Sequence, residues 1–136
     1  LLLMVFSLTA CSSKLEEKQI SINNQILQLT VAKTPKQQAV GLSGQRELAD
    51  NQGMLFEFTD YQIRNFWMKG MNFPLDIVWL KDNQIIGFAE NVPILDLAGN
   101  ISQVNSSILV NRVLEVKAGW VKENNVKVGD LVAGLD

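Results

Sequence analysis

Residues 74–90, PLDIVWLKDNQIIGFAE, contain two apolar runs rich in β-branched side chains, which predict a hairpin in a β-rich domain. The first strand is predicted at 75–80. Pro74 precedes it because proline lacks the N–H that a strand interior donates. The polar residues 81–84 supply the turn, and the second strand follows at 85–90.

Shorter patterns on either side of this hairpin add further elements. Apolar residues alternate over 20–31 around Asn23 and Asn24, which predicts another hairpin. Thr34 and Pro35 indicate the start of a short helix that Gly41 ends. A long ordered loop, 41–53, leads to a strand at 54–58. The remaining predicted strands are 66–68, 107–116 and 131–133, and a second short helix falls within 118–125.

Seven or eight short strands with two small helices predict a mainly β (α+β) domain. We expect a small closed or partly closed β-barrel, because exposed strand edges must be covered. The chain has 136 residues, 47% of them apolar and 19% charged, which is typical of one globular domain. The domain is predicted to cover 20–136.

The composition excludes several classes of chemistry. There is no histidine and only one cysteine, so Cys/His zinc sites, Ser-His-Asp triads and intrachain disulfides are ruled out. A formal net charge of −2 without runs of like charge argues against nucleic-acid binding. Carboxylates and amides do not follow a metal-binding spacing, and neither a metal nor another cofactor is predicted.

The N-terminal residues are typical of an export signal. Residues 1–10, LLLMVFSLTA, form an apolar run that is too short to span a membrane. Leu8-Thr9-Ala10-Cys11 resembles the bacterial lipoprotein signal, in which cleavage before the cysteine leaves its thiol lipidated. The resemblance implies an exported protein, anchored through Cys11 and facing the periplasm if the host has two membranes. Residues 11–19 would form the lipidated cysteine and a flexible tether.

Three sequence blocks carry a family resemblance: GLSGQRELADNQGMLFEF (41–58), FWMKGMNFPLDIVWL (66–80) and VLEVKAGWVKENNVKVGDLV (113–132). In order and spacing they resemble the bacterial and archaeal family catalogued as domain of unknown function 192. The family has an aromatic-Trp-Met-Lys-Asn run, in which Gly70 takes the place of the asparagine here. The resemblance implies a small β-rich fold without an established activity, substrate or cofactor. Gly129 and Asp130 are interpreted as a structural turn.

Arg46 and Glu47 are candidate ligand-binding residues because they lie in the glycine-containing loop 41–53. An arginine in such a loop can bind a carboxylate or sulfate-like group with two parallel hydrogen bonds. The alternative is an internal ion pair from Arg46 to Asp76 or Glu115, which would hold the loop in place.

Trp67, Lys69 and Asn72 combine an aromatic face, a cation and an amide within one short segment. This combination is typical of surfaces that bind carbohydrates or peptides. The alternative is that the side chains of this segment simply alternate between core and surface.

Asp76 and Glu115 each interrupt an apolar strand. A carboxylate in a buried strand is costly unless it is paired or hydrogen-bonded. The two therefore either face solvent, or share a polar pocket with a cation such as Arg46, Lys69 or Arg112. If they approach each other without a cation, one could stay protonated and act as a general acid.

These candidates favour a non-enzymatic, envelope-anchored binding module for a saccharide, a cell-wall fragment or a protein segment. Its predicted ligand-binding residues are Arg46, Glu47, Trp67, Lys69, Asn72, Asp76 and Glu115. One alternative is a small hydrolase or lyase that uses Asp76 and Glu115 as catalytic residues. The other is a structural partner of another envelope protein.

Overall fold

The computed structural model describes residues 14–136. The predicted signal segment 1–10 and Cys11 lie outside the described residues. Within residues 14–136 no helix is both long enough and apolar enough to cross a membrane. The elements are β1 (Glu16–Ile22), β2 (Gln25–Ala32), α1 (Pro35–Val40), β3 (Gln52–Gln62), β4 (Asn65–Trp67), β5 (Leu75–Lys81), β6 (Gln84–Val92), β7 (Gln103–Asn105), β8 (Val110–Lys117) and α2 (Trp120–Glu123).

Local sequence signals account for several of these elements. Asn23 and Asn24 have φ angles of 50° and 63°, the left-handed region that the β1–β2 turn needs and that asparagine tolerates. The Thr34 side chain accepts a hydrogen bond from the backbone N–H of Gln37, whose side chain accepts one from Thr34 N–H. This capping box explains why α1 begins at the predicted residue.

Six strands form one sheet in the order β1-β2-β3-β8-β5-β6, and β4 pairs with β7 in a separate two-stranded ribbon. All strand pairs are antiparallel except β2–β3, whose crossover contains α1. The fold is therefore mainly β with two short helices, as the sequence predicts. The closed barrel is wrong, because β1 and β6 are the two edges of an open sheet.

The C-terminal segment runs between these two edges. The N–H of Val132 donates to the carbonyl of Asn83 beside β6 (2.8 Å), and Ala133 exchanges two 3.0 Å backbone bonds with Ser21 on β1. These are isolated bridges, so the strand predicted at 131–133 is not formed. Just before them Gly129 has φ 98°, and the Asp130 carboxylate accepts the N–H of Lys127 (2.8 Å).

The six-stranded sheet is apolar on both faces, because successive side chains of a strand point to opposite sides. One face carries the first core, which contains Ile20, Ile22, Leu27, Leu29, Leu55, Val78, Leu80, Ile85, Leu114, Val116, Trp120, Val121, Val126 and Val132. The other carries the second core, which contains Ala32, Leu42, Leu48, Met54, Phe56, Met68, Met71, Leu75, Ile77, Trp79, Val92, Val110 and Val113.

Different segments cover the two faces. Trp120 and Val121 of α2 and Val132 of the C-terminal segment belong to the first core. Over the second core lies the β4–β7 ribbon, whose Phe66 and Val104 pack against it. The sheet is thus the middle of three layers.

Strand β1 begins at Glu16, four residues before the predicted domain start at Ile20. Glu16–Ile22 pairs with β2 along its whole length, in register from Glu16↔Val31 to Ile22↔Gln25. Residues 16–19 therefore belong to the sheet and not to a flexible tether, which corrects the boundary between tether and domain.

Close packing between β3 and β8 makes Gly53 a testable position. A Cβ at Gly53 would lie 2.6 Å from the backbone oxygen of Glu115 and 3.0 Å from Leu29 Cδ2. We expect Gly53→Ala to lower the free energy of unfolding by about 1–3 kcal/mol through this overlap. Gly87→Ala is the matched control, because its Cβ meets only Trp79 Cδ1 at 3.3 Å. Equal losses in urea denaturation of the two variants would contradict the packing described.

Candidate functional site

A cavity of about 370 Å³ opens on the second-core side of the sheet. Its wall is formed by α1 and the loop that follows it, by strands β3 and β4, and by one residue of β8. Its lining is mixed, and the large aromatic and apolar side chains in it are Phe56, Phe58, Ile63, Phe66, Trp67 and Met71. The polar side chains that line it are Gln38, Ser43, Arg64, Asn65 and Glu115. This volume is within the range that holds small molecules, and we call the cavity the Glu115 pocket.

Glu115 is the buried acid of this pocket. It pairs with Met54 of β3 and Ile77 of β5, and its side chain lies on the second-core side because Leu114 and Val116 face the first core. Only 5% of the residue is exposed. Its carboxyl group has no hydrogen-bond or ion-pair partner among residues 14–136, and burial raises its pKa to about 8. At neutral pH the group is therefore mainly protonated.

The aromatic wall extends from the core to the rim of the pocket. The Phe66 ring contacts the rings of Phe56 and Trp79 edge-on, with centroids 4.9 Å and 5.8 Å away. Its neighbour Trp67 points the other way along β4 and is 55% exposed. The ammonium of Lys69 lies 5.0 Å from the centroid of Trp67, a distance at which a cation is attracted to the ring.

Arg64 lines the pocket and was not among the residues that the sequence singled out. Its guanidinium lies 3.8 Å from the centroid of Phe58 and forms an ion pair with Asp60. It also donates to the carbonyl oxygens of Asp60 and Val110, at 2.6 Å and 3.4 Å. The arginine charge is therefore already balanced. The sequence signal that could have found it is an arginine two residues before the Phe66-Trp67 pair.

Two loops beside the pocket are joined by hydrogen bonds. The Ser43 hydroxyl donates to the carbonyl of Lys69 (3.0 Å), and Gly44 N–H donates to that of Gly70 (2.9 Å). The Asn72 amide, which was predicted to bind a ligand, instead donates a hydrogen bond to the carbonyl of Gln45 within the protein (2.8 Å). Gly70 has φ 74°, a region open to asparagine as well as glycine, which explains how glycine can replace the asparagine of the resemblance.

Asp76 lies on the opposite face of the sheet from Glu115. It pairs with Val116, one register position away from Glu115, and is completely buried on the first-core side. Its two carboxylate oxygens accept the backbone N–H groups of Asn91 (2.7 Å) and Val121 (2.9 Å). The carboxylates that the sequence considered as a catalytic pair are thus separated by the sheet.

Arg46 and Glu47 are exposed and line a different cavity, of about 260 Å³, together with Phe73, Pro74 and Lys117. Within residues 14–136 Arg46 forms no ion pair with Asp76 or Glu115, and both of these possible pairings are wrong. Of the predicted ligand-binding residues, the Glu115 pocket combines Trp67 and Glu115, with Lys69 beside Trp67.

A metal site requires several ligating side chains close together. In the described part of the chain no three acidic or cysteine side chains are grouped so that they could hold a metal ion.

The β6–β7 connection exposes Leu95, Leu97 and Ile101, with Leu97 fully in solvent. These side chains give that connection an apolar surface of the kind found at contacts between proteins.

Comparisons with known proteins agree with the fold. The model of the family DUF192, described as "Uncharacterized ACR", matches residues 18–134. No curated protein matches the chain. A solved structure from Sinorhizobium meliloti 1021, described as a candidate transcription regulator, has 30% identity and a TM-score of 0.81, with 89% of this chain and 95% of that chain covered. A protein of unknown function from Novosphingobium aromaticivorans DSM 12444 has 26% identity and a TM-score of 0.79, with 90% and 88% covered.

Burial of Glu115 predicts a pH dependence of stability. Its pKa rises from 4.5 to about 8 on folding, so between these values the folded state holds a proton that the unfolded state has lost. Stability should therefore fall by about 1.4 kcal/mol per pH unit from pH 4.5 to 8, and level off above. We expect the difference in free energy of unfolding between the wild type and Glu115→Gln to fall with this slope from pH 4.5 to 8 and then to stay constant. A difference that stays constant across this range would contradict a protonated Glu115.

Proposed function

The chain belongs to the DUF192 family, and since the description of that family assigns no activity, we propose from the geometry that it is a small-molecule binding module whose site is the Glu115 pocket. The ligand would be a saccharide or a cell-wall fragment of about the size of the pocket, or one side chain of a protein segment. Trp67 would cover the ligand at the rim, and Glu115 would bind its polar group inside.

One observation carries this proposal: an acidic side chain without a partner reaches a cavity that opens to solvent. A buried carboxyl normally has a hydrogen-bond or ion-pair partner, because leaving it without one costs several kcal/mol. Asp76 shows the usual arrangement in the same sheet, with two backbone N–H donors. Glu115 lacks such partners, and a ligand could supply one.

A binding role is better supported than the hydrolase or lyase alternative. General acid–base catalysis by two carboxylates needs both of them at the same substrate. Asp76 and Glu115 lie on opposite faces of the sheet, and Asp76 already accepts two backbone hydrogen bonds. A single protonated carboxyl is well suited to hydrogen-bond a ligand.

We further propose that the module is exported and held at a bacterial membrane by a lipid on Cys11. The apolar segment 1–10 and the Leu-Thr-Ala-Cys sequence support this. β1 begins at Glu16, which leaves only residues 12–15 between the anchor and the sheet. Four residues span at most about 14 Å, so the domain would lie close to the membrane surface.

A role in DNA binding does not follow from the similarity to the Sinorhizobium meliloti protein. Proteins that bind DNA rely on basic side chains to contact phosphates. This chain has a formal net charge of −2 and contains no run of basic residues.

A second candidate function is that of a structural partner of another envelope protein. The exposed Leu95, Leu97 and Ile101 on the β6–β7 connection favour it. This surface is separate from the Glu115 pocket in its lining residues, so the two roles can be tested independently.

Ligand binding should raise the melting temperature of the protein, because a ligand that binds only the folded state stabilises it. We expect at least one saccharide, amino sugar or peptidoglycan fragment to raise it in a thermal-shift screen. The shift should be lost in both Trp67→Ala and Glu115→Gln.

Tyr61→Ala is the matched control for Trp67→Ala, because Tyr61 is 45% exposed and does not line the pocket. A shift abolished by Arg46→Ala but kept in Glu115→Gln would place the ligand in the other cavity. A flat response to every compound would contradict the binding module and favour the structural partner.

Lipidation can be tested on the precursor in a bacterial host grown with labelled palmitate. We expect the wild type to incorporate the label and to sediment with membranes. Cys11→Ala should lose both properties, because the thioether can form only on that thiol. A wild-type protein without label would disprove the anchor and leave the pocket unaffected.

A further inference from the structure

We propose that the Glu115 pocket binds a small organic amine, whose ammonium group forms an ion pair with Glu115 while its apolar part lies against the aromatic wall. This inference rests on the proposed binding function and narrows the class of ligand. The shared chemistry is a primary ammonium on a short stem, as in a diamine, an amino sugar or a lysine side chain.

Glu115 differs from the other acidic side chains that the sheet holds in place. Glu57 on β3 has the ammonium of Lys18 at 3.3 Å and the guanidinium of Arg112 at 3.8 Å. Asp76 accepts two backbone N–H groups. Glu115, at 5% exposure, has neither a cation nor a donor among residues 14–136. Burial of a carboxyl in this condition favours its neutral form, and an approaching cation favours the ionised form.

No cation of the pocket wall is available to fill this role. Arg64 and Glu115 are the only charged residues that line the pocket in the described part of the chain. The Arg64 guanidinium is held by Asp60 and by the ring of Phe58. The direct neighbours of Glu115 in the sheet are the uncharged Met54 of β3 and Ile77 of β5. Lys117, two residues along β8 on the same face, forms an ion pair with Asp50 at 2.8 Å. A cation that pairs with Glu115 would therefore have to come from a ligand.

The aromatic wall is suited to an ammonium on an apolar stem. Trp67 is 55% exposed, and the ammonium of Lys69 lies 5.0 Å from its centroid, so this ring already attracts one cation. Phe56, Phe66 and Met71 line the same pocket and offer apolar surface to a ligand. A ligand with a cationic end and an apolar body could use both features at once.

Charge balance distinguishes an amine from a neutral ligand. Protonated Glu115 releases its proton to solvent when R–NH₃⁺ binds, and no covalent bond forms or breaks. A neutral hydroxyl compound would instead accept a hydrogen bond from the protonated acid and release no proton. Amine affinity should therefore rise by roughly tenfold per pH unit below pH 8, where the carboxyl must first ionise.

Calorimetry with matched pairs of compounds tests this inference on the full chain. The pairs are 5-aminopentan-1-ol against pentane-1,5-diol, glucosamine against glucose, and an N-terminally acetylated, lysine-containing tripeptide against its Nε-acetyl form. We expect the amine of at least one pair to bind at least tenfold more tightly than its neutral partner at pH 8. The pair that responds identifies the source of the ammonium group.

Glu115→Gln should abolish this preference and the pH dependence, and Glu90→Gln, at an exposed position outside the pocket, should leave both unchanged. Because Glu115→Gln could disturb folding, proton release by the wild type is a second readout. Titration at pH 7 in two buffers of different ionisation enthalpy should show close to one proton released per amine bound.

Neutral compounds that bind as tightly as their amines would overturn the amine proposal and leave the binding module intact. Amine binding without proton release, or binding that Glu115→Gln leaves unchanged, would also overturn it. If neither member of any pair binds while the wider thermal-shift screen succeeds, the ligand class is wrong and the binding function stands.

Discussion

Strand β8 is the constraint on which the rest of the molecule depends. It lies between β3 and β5 in the middle of the sheet, and Val113, Leu114 and Val116 are all completely buried. Because alternate residues of one strand face opposite sides, β8 belongs to both cores at once. The same alternation directs Glu115 into the second-core side, where an acid has no internal partner. The geometry that stabilises the fold thus also creates the proposed binding group.

The parts of the fold that depend on local sequence could be predicted, whereas the sheet order could not. The first hairpin, α1 and the β5–β6 turn follow from Asn23-Asn24, from the Thr34 cap and from the polar residues before Gln84. The parallel β2–β3 pair, the separate β4–β7 ribbon and the open edges depend on contacts between distant segments. The barrel prediction failed because the C-terminal segment links the edge strands by isolated bridges instead of a continuous ladder.

The candidate site could be predicted only as far as residue type alone was informative. Residue type alone identified Trp67 and Glu115 as candidates, since an aromatic in a polar segment and an acid in an apolar strand are both conspicuous. Whether Asp76 and Glu115 meet depends on register: Asp76 pairs with Val116, and Ile77 pairs with Glu115. A shift of the register by one residue would move every side chain of the strand to the opposite face of the sheet. The register could not be predicted from the sequence. Arg64 was missed because its role comes from Phe58 and Asp60, which meet it only in the folded chain.

The position of β8 has a consequence for the order of events during synthesis. Among the strands of residues 14–136, the one at the centre of the sheet is translated last, and the segment that links the sheet edges follows it. The second core cannot be completed before Val113 leaves the ribosome, nor the first before Val132, and contacts between such distant segments form slowly. The chain therefore cannot complete its fold before residue 132 has been translated. The proposed N-terminal export signal would therefore be recognised while the domain is still unfolded.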